Sequence, residues 1–196
     1  MTTGKDERSL SVSAVVKQKD NYVFVIREPD LWEKDADGRI ILPFGTIESR
    51  IRKGEDAAAA LERKFREETG ADVKILNSQT SHFIYNGAVD EVSVTAKSNR
   101  PLFIYKNEEE KKKKYSYVFS FLATADNIET VLPRRKPAII LMNKKLLNKA
   151  VKGKLSLREL KARGGKIISN MELPEDAVLA PTPAPRGIYL CGSNCR

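Results

Sequence analysis

The stretch EDAAAALERKFREE, Glu55 to Glu68, with Gly70 just beyond it, constrains this chain more tightly than any other segment. It is dense in strong helix formers, opens on two acids that suit the positive end of a helix, and meets a glycine that suits a helix stop. At about 100° per residue, Ala57, Ala58, Leu61 and Phe65 share one stripe, while Arg63, Lys64, Glu67 and Glu68 take the neighbouring arc. One side of this helix can pack; the other can face a cleft.

Strand-like patterns surround it. Ser9 to Val16 alternates in part and Tyr22 to Ile26 is continuously apolar, with the turn-like KQKDN between them, which predicts a hairpin. An Asp37-Gly38 turn precedes RIILP, a short strand that stops at Pro43 and Gly45. After the helix come VKIL, SHFIY, EVSVT, PLFIY and the long aromatic YSYVFSFLAT, with the charge blocks of KNEEEKKKK suiting an exposed hairpin loop. Further on, Met142, Leu146, Leu147 and Ala150 have helical spacing with Gly153 as a stop. Ser156 and Glu159 make a capping-box spacing for a short helix that ends at Gly164 and Gly165. Beyond Leu173, the prolines of PEDAVLAPTPAPRG predict an extended tail.

Composition narrows the chemistry. A chain of 196 residues suits one domain with extensions. No apolar run approaches the roughly 20 residues needed to cross a bilayer, and the polar start is unlike a signal peptide, so no membrane partner and a cytoplasmic location are expected. Cys191 and Cys195, both in the last six residues, cannot hold a core together. The single histidine, His82, reads as a packed or surface strand residue, which leaves carboxylates and a metal ion as the candidates for catalysis. The charge of +9 is regional: from Arg134 to Lys166 there are twelve Lys or Arg and one acid, a net +11, leaving about −2 for the rest. That stretch is either a solvated helical face or a surface for anionic partners, nucleic acid included.

The helix and the loop before it resemble the Nudix box, G-x5-E-x7-R-E-U-x-E-E-x-G-U, where U is a bulky aliphatic residue. Glu55, seven residues, then Arg63-Lys64-Phe65-Arg66-Glu67-Glu68-Thr69-Gly70-Ala71 reproduce its second half except at two positions. Upstream, FGTIE supplies Gly45 and Glu48, with nine residues between Gly45 and Glu55 where the pattern has five, so SRIRK carries a four-residue insertion. The alternative alignment puts Ser49 in place of the glycine. The resemblance implies an α/β fold, a Nudix-type α/β/α sandwich with a mixed sheet, plus C-terminal helices and an extended tail. On this reading residues 1–8 are a disordered N-terminus, 9–150 the Nudix-like domain, and 151–196 a basic helical extension and Pro-rich tail.

Carboxylates at i, i+3 and i+4 of a helix converge on a shared cation, and Mg²⁺ favours such oxygen ligands. The resemblance implies Mg²⁺, or Mn²⁺ in its place, held by Glu67, Glu68 and Glu48, with Glu55, Arg63 and Glu67 serving catalysis on a nucleoside diphosphate derivative. Lys64 departs from the pattern. It stands where the family has a glutamate, and it changes the formal charge over positions 64, 67 and 68 from −3 to −1. Three readings follow, the first of them leading: a Mg²⁺-dependent hydrolase of the pyrophosphate in a nucleoside diphosphate derivative, its site completed by Glu48, Glu55, Glu91 or one of Glu108 to Glu110; as the alternative, a Nudix-fold protein that binds a nucleotide, nucleic acid or protein partner without turnover; or an ordinary amphipathic helix. Arg50, Arg52 and Lys53 could clamp phosphates or be a plain basic loop, and Trp32 and Tyr85 could stack a base or be core and rim residues.

Overall fold

The computed structural model describes residues 8–96, 98–109 and 114–192. The first half of the chain gives β1 (Arg8–Gln18), β2 (Asn21–Ile26), β3 (Glu33–Lys34), β4 (Ile40–Gly45), β5 (Ile47–Ser49) and α1 (Ala57–Thr69). Then follow β6 (Lys74–Ile75), β7 (Ser81–Tyr85), β8 (Ala88–Val92), β9 (Phe103–Glu109), β10 (Lys114–Thr124) and β11 (Ala138–Asn143). The last part adds α2 (Lys144–Val151), α3 (Leu157–Ala162), β12 (Lys166–Ser169), β13 (Val178–Pro181) and α4 (Pro183–Cys191).

The strands form one mixed sheet whose main path runs β12-β11-β2-β1-β10-β9-β7-β8. The β1–β10, β7–β9 and β4–β13 pairs are parallel and the other pairs antiparallel. The central strands are apolar on both sides because both faces are covered. Val23, Val25, Ile139 and Leu141 enter one core with Leu61 and Phe65 of α1. Their neighbours Tyr22, Phe24, Ile140 and Met142 enter a second core, shared with Leu147 of α2, Leu160 of α3 and Ile188 of α4. Helices thus lie on both faces, and the α/β sandwich expected from the box is the observed architecture.

Helix α1 begins where its side-chain chemistry begins it. The Asp56 carboxylate accepts from Ala59 N–H at 2.8 Å, satisfying an amide without an intrahelical partner. Gly70 ends it at φ 84°, donating its N–H to the Arg66 carbonyl at 2.9 Å, in a conformation that favours glycine. The Ser156 hydroxyl likewise caps α3 by accepting from Glu159 N–H at 3.2 Å.

Local pattern misplaces several pieces. Met142, read as the start of a helix, lies in β11; α2 begins at Lys144 because the Asn143 side chain accepts from Leu146 N–H at 3.1 Å. β8 overlaps EVSVT at Glu91 and Val92 alone, since Asn86 and Gly87, both at positive φ, set the β7–β8 hairpin register earlier. The Pro-rich stretch runs extended through β13, paired with β4, and then turns into α4, whose Ala184, Ile188 and Cys191 are core residues. Proline at the first position of α4 is compatible with a helix start, which is why the prolines misdirect the expectation there. Arg8 opens β1, residues 1–7 lie outside the described residues, and so do Glu110 and Cys195.

Candidate functional site

The polar arc of α1 meets β5 and the segment Pro133–Pro137, and it carries two charge networks. In the first, Arg63 forms a fork on Glu55, with Nε 2.8 Å from Oε1 and Nη2 3.1 Å from Oε2. The same guanidinium donates from Nη1 to Glu67 at 3.4 Å and from Nη2 to the Ser49 hydroxyl at 3.4 Å. Arg52 N–H also donates to Glu55 at 3.0 Å, so the inserted loop is tied to the helix through this carboxylate. The Arg63 bonds, with the Arg52 amide second, lower the Glu55 pKa to about 2, and Glu55 in turn raises that of Arg63. Glu48 lies apart from this group and pairs with Arg27 at 3.0 Å.

The second network surrounds Glu68, whose side chain is 4% exposed. Lys64 Nζ sits on its Oε1, one helical turn away, and Lys136 Nζ lies 3.3 Å from its Oε2. Lys136 is itself buried and also bonds the Glu28 carboxylate. Burial works against ionisation of Glu28, but the Lys136 bond and charge prevail and lower its pKa. The backbone N–H groups of Arg134 and Arg135 both donate to the Glu68 carbonyl, at 2.9 and 3.1 Å, and Arg135 Nη1 approaches Glu67 at 3.9 Å.

This donor set does not suit a divalent cation. Glu48, Glu55, Glu67 and Glu68 each face a side-chain cation of the chain itself. Among the described residues no group of three or more His, Cys, Asp or Glu side chains could hold a metal ion. A dication at Glu68 would meet the repulsion of two ammonium groups, Lys64 and Lys136.

Lys136 is the residue that sequence reasoning missed. It appeared there as one more charge in a basic stretch, and no spacing rule links it to a glutamate so far upstream. Pro133 and Pro137, which flank Arg134-Arg135-Lys136, are the one local sign of a fixed segment. Much of the remaining basic stretch is locally neutralised: Lys149 and Arg163 pair with Glu159, Arg158 and Lys161 with Glu175, and Lys166 with Glu129.

Other candidates have structural partners. Trp32 donates its indole N–H to the Arg27 carbonyl at 2.9 Å and packs on the second core. The Tyr85 hydroxyl donates to Glu108, which lowers the Glu108 pKa. His82 is buried on β7, and Glu91 lies opposite it on β8, the last strand of the main sheet path. Neither Glu91 nor Glu108 is brought into the α1 networks.

At the ends of β1, β5 and β10, a cavity of about 410 Å³ is lined by residues that include Ser11, Glu48, Ser49, Arg50, Asn107, Ser116 and Pro183. Arg50 is exposed, and Pro183 brings the start of α4 to the cavity wall. Close by, Gly45 is closely approached: a Cβ there would fall 2.9 Å from Arg27 Nη2 and collide with the Thr182 hydroxyl, so these side chains would have to shift.

Among solved structures, a NUDIX-family hydrolase from Clostridium perfringens is similar at 15% identity, covering 73% of this chain and 86% of that one, with a TM-score of 0.47. The ORF135 protein of E. coli is similar at 11% identity over 74% and 80% of the two chains, with a TM-score of 0.43. A NUDIX hydrolase from Nitrosomonas europaea is similar at 18% identity over 61% and 60%, with a TM-score of 0.36. The comparison with curated proteins gives no match. A NUDIX domain model matches residues 7–136, about two thirds of the 196-residue chain, and this chain therefore belongs to the Nudix family.

Proposed function

We propose that this chain is a Nudix-fold protein that binds a nucleoside-diphosphate-type anion without hydrolysing it. The observation that carries this reading is the state of Glu68: a buried carboxylate with an ammonium group on each oxygen. Pyrophosphate hydrolysis on the family pattern needs a metal ion to neutralise the substrate and activate water. Here positive charge is already supplied by fixed side chains, which compete with the ion for the same oxygens.

The cavity between α4 and the sheet supports the binding half of the reading. Its size falls within the range of small-molecule sites, and the Ser11 and Ser116 hydroxyls and the Asn107 amide offer hydrogen bonds. Arg50, at its rim, is a donor suited to a phosphate.

Calorimetry with a panel of nucleoside diphosphates tests both halves. Binding should persist in EDTA, stay unchanged on adding Mg²⁺, and weaken on the order of tenfold in Arg50→Ala, as expected for one charge-assisted contact. No phosphate-bearing product should form. Mg²⁺-dependent turnover that disappears in Glu68→Gln would overturn the reading.

A further inference from the structure

We propose that the buried end of α1 is a latent divalent-cation site closed by two lysines, and that Lys136 keeps it closed even when Lys64 is replaced. The inference rests on the non-hydrolytic reading of this site and adds a second lock, supplied from outside the helix.

Three observations carry it. First, one oxygen of Glu68 is not well satisfied by its present partners: its buried Oε2 accepts no hydrogen bond, and Lys136 Nζ lies 3.3 Å from it. A buried carboxylate oxygen facing an off-axis ammonium is an acceptor for which a better-placed cation could compete. Second, Lys136 is held in place. Its segment is fixed by the Arg134 and Arg135 amides on the Glu68 carbonyl, and from the other side by Asn170 Nδ2, which donates to the Pro133 and Lys136 carbonyls at 2.9 and 3.1 Å. Third, Lys64 and Lys136 address different oxygens from different elements, so removing one leaves the other in place. Lys64→Glu would add a third carboxylate to the arc, yet the incoming ion would still face a buried ammonium.

The test is Mn²⁺ binding, followed by electron paramagnetic resonance on the full, nucleotide-free chain. Wild type and Lys136→Gln should show no saturable binding, and Lys64→Glu only weak binding. Lys64→Glu combined with Lys136→Gln should bind Mn²⁺ on the order of a hundredfold more tightly than Lys64→Glu alone, and Mn²⁺ should raise its melting temperature. Binding by Lys64→Glu within about threefold of the double variant would overturn the proposal. So would a folded double variant that binds no better than wild type.

A measurement on wild type covers the case of a double variant that does not fold. The ¹⁵N-edited ammonium signals of Lys64 and Lys136 should persist unchanged when Mn²⁺ is added; paramagnetic loss of either signal would overturn the proposal. Because no nucleotide is present, these outcomes are independent of the ligand reading. A wild type that binds no nucleotide breaks the proposed function and leaves the two-lysine lock standing.

Discussion

The two charge networks on α1 use the same residue types and differ in their access to water. Around Arg63, the Glu55 and Glu67 carboxylates keep part of their hydration, and the geometry is a fork of well-aligned bonds. Around Glu68, the acid and Lys136 are both nearly removed from solvent, at 4% and 9% side-chain exposure, and one oxygen lacks a hydrogen bond. The contrast shows that the number of ion pairs is a poor guide to their consequences. A solvated pair can lose a partner and have water replace it, whereas a buried pair cannot.

The largest effect should therefore come from breaking the buried network. Lys136→Met leaves Glu68 with Lys64 alone and should cost about 3 kcal/mol in urea unfolding, at the low end for an unpaired buried charge because Lys64 remains. Adding Glu68→Leu should restore most of that loss, since the apolar pair leaves no buried charge and the freed Lys64 and Glu28, 29% and 43% exposed, can be hydrated. If the single variant is as stable as wild type, the two networks are energetically alike and the comparison fails.

A smaller effect is expected at Arg63. Its side chain is 23% exposed, and Arg63→Ala should cost about 1 kcal/mol, since water takes over part of each lost bond. The Glu55 pKa should rise from about 2 toward its ordinary value of 4.5, which carboxyl NMR would follow. The sign sets the pH window. Because the folded-state pKa is depressed, the stabilisation by ionised Glu55 is complete above about pH 4.5 and is lost as pH falls toward about 2. The variant's acid unfolding curve should lack that component.

The smallest effect belongs to a pair outside both networks. Arg158, 72% exposed and 3.7 Å from Glu175, should tolerate Arg158→Ala within about 0.5 kcal/mol. A larger loss by thermal unfolding would mean that exposure alone does not sort these pairs.

Legibility in the sequence followed the range of the interactions. Local devices were readable: Gly70 ending α1, the Ser156 cap of α3 and the β1–β2 hairpin all act across a few residues, whereas of the two acids read as opening α1 only Asp56 caps it and Glu55 lies before its first residue, Ala57. Asn86-Gly87 was an equally local signal, and reading it would have placed β8 correctly. Strand β11 was hidden because Met142 fits a helical stripe as well as a buried strand, and pairing with β2 decides between them. The C-terminal segment was hidden because its prolines mark the edges of β13 and the start of α4, positions where proline is tolerated without making a loop.

By itself, the sequence determined the α1 helix, its polar arc, the family likeness and the substitution of Lys64 for a carboxylate, because each is expressed in spacing along one element. The tertiary structure decided what that substitution means. It brought Lys136 from beyond β10 onto Glu68, gave Glu48 to Arg27, and set Arg50 beside a cavity walled by α4. Those pairings depend on burial and on the folding of distant segments against one another, and no local period encodes which cation will share a desolvated site with which acid.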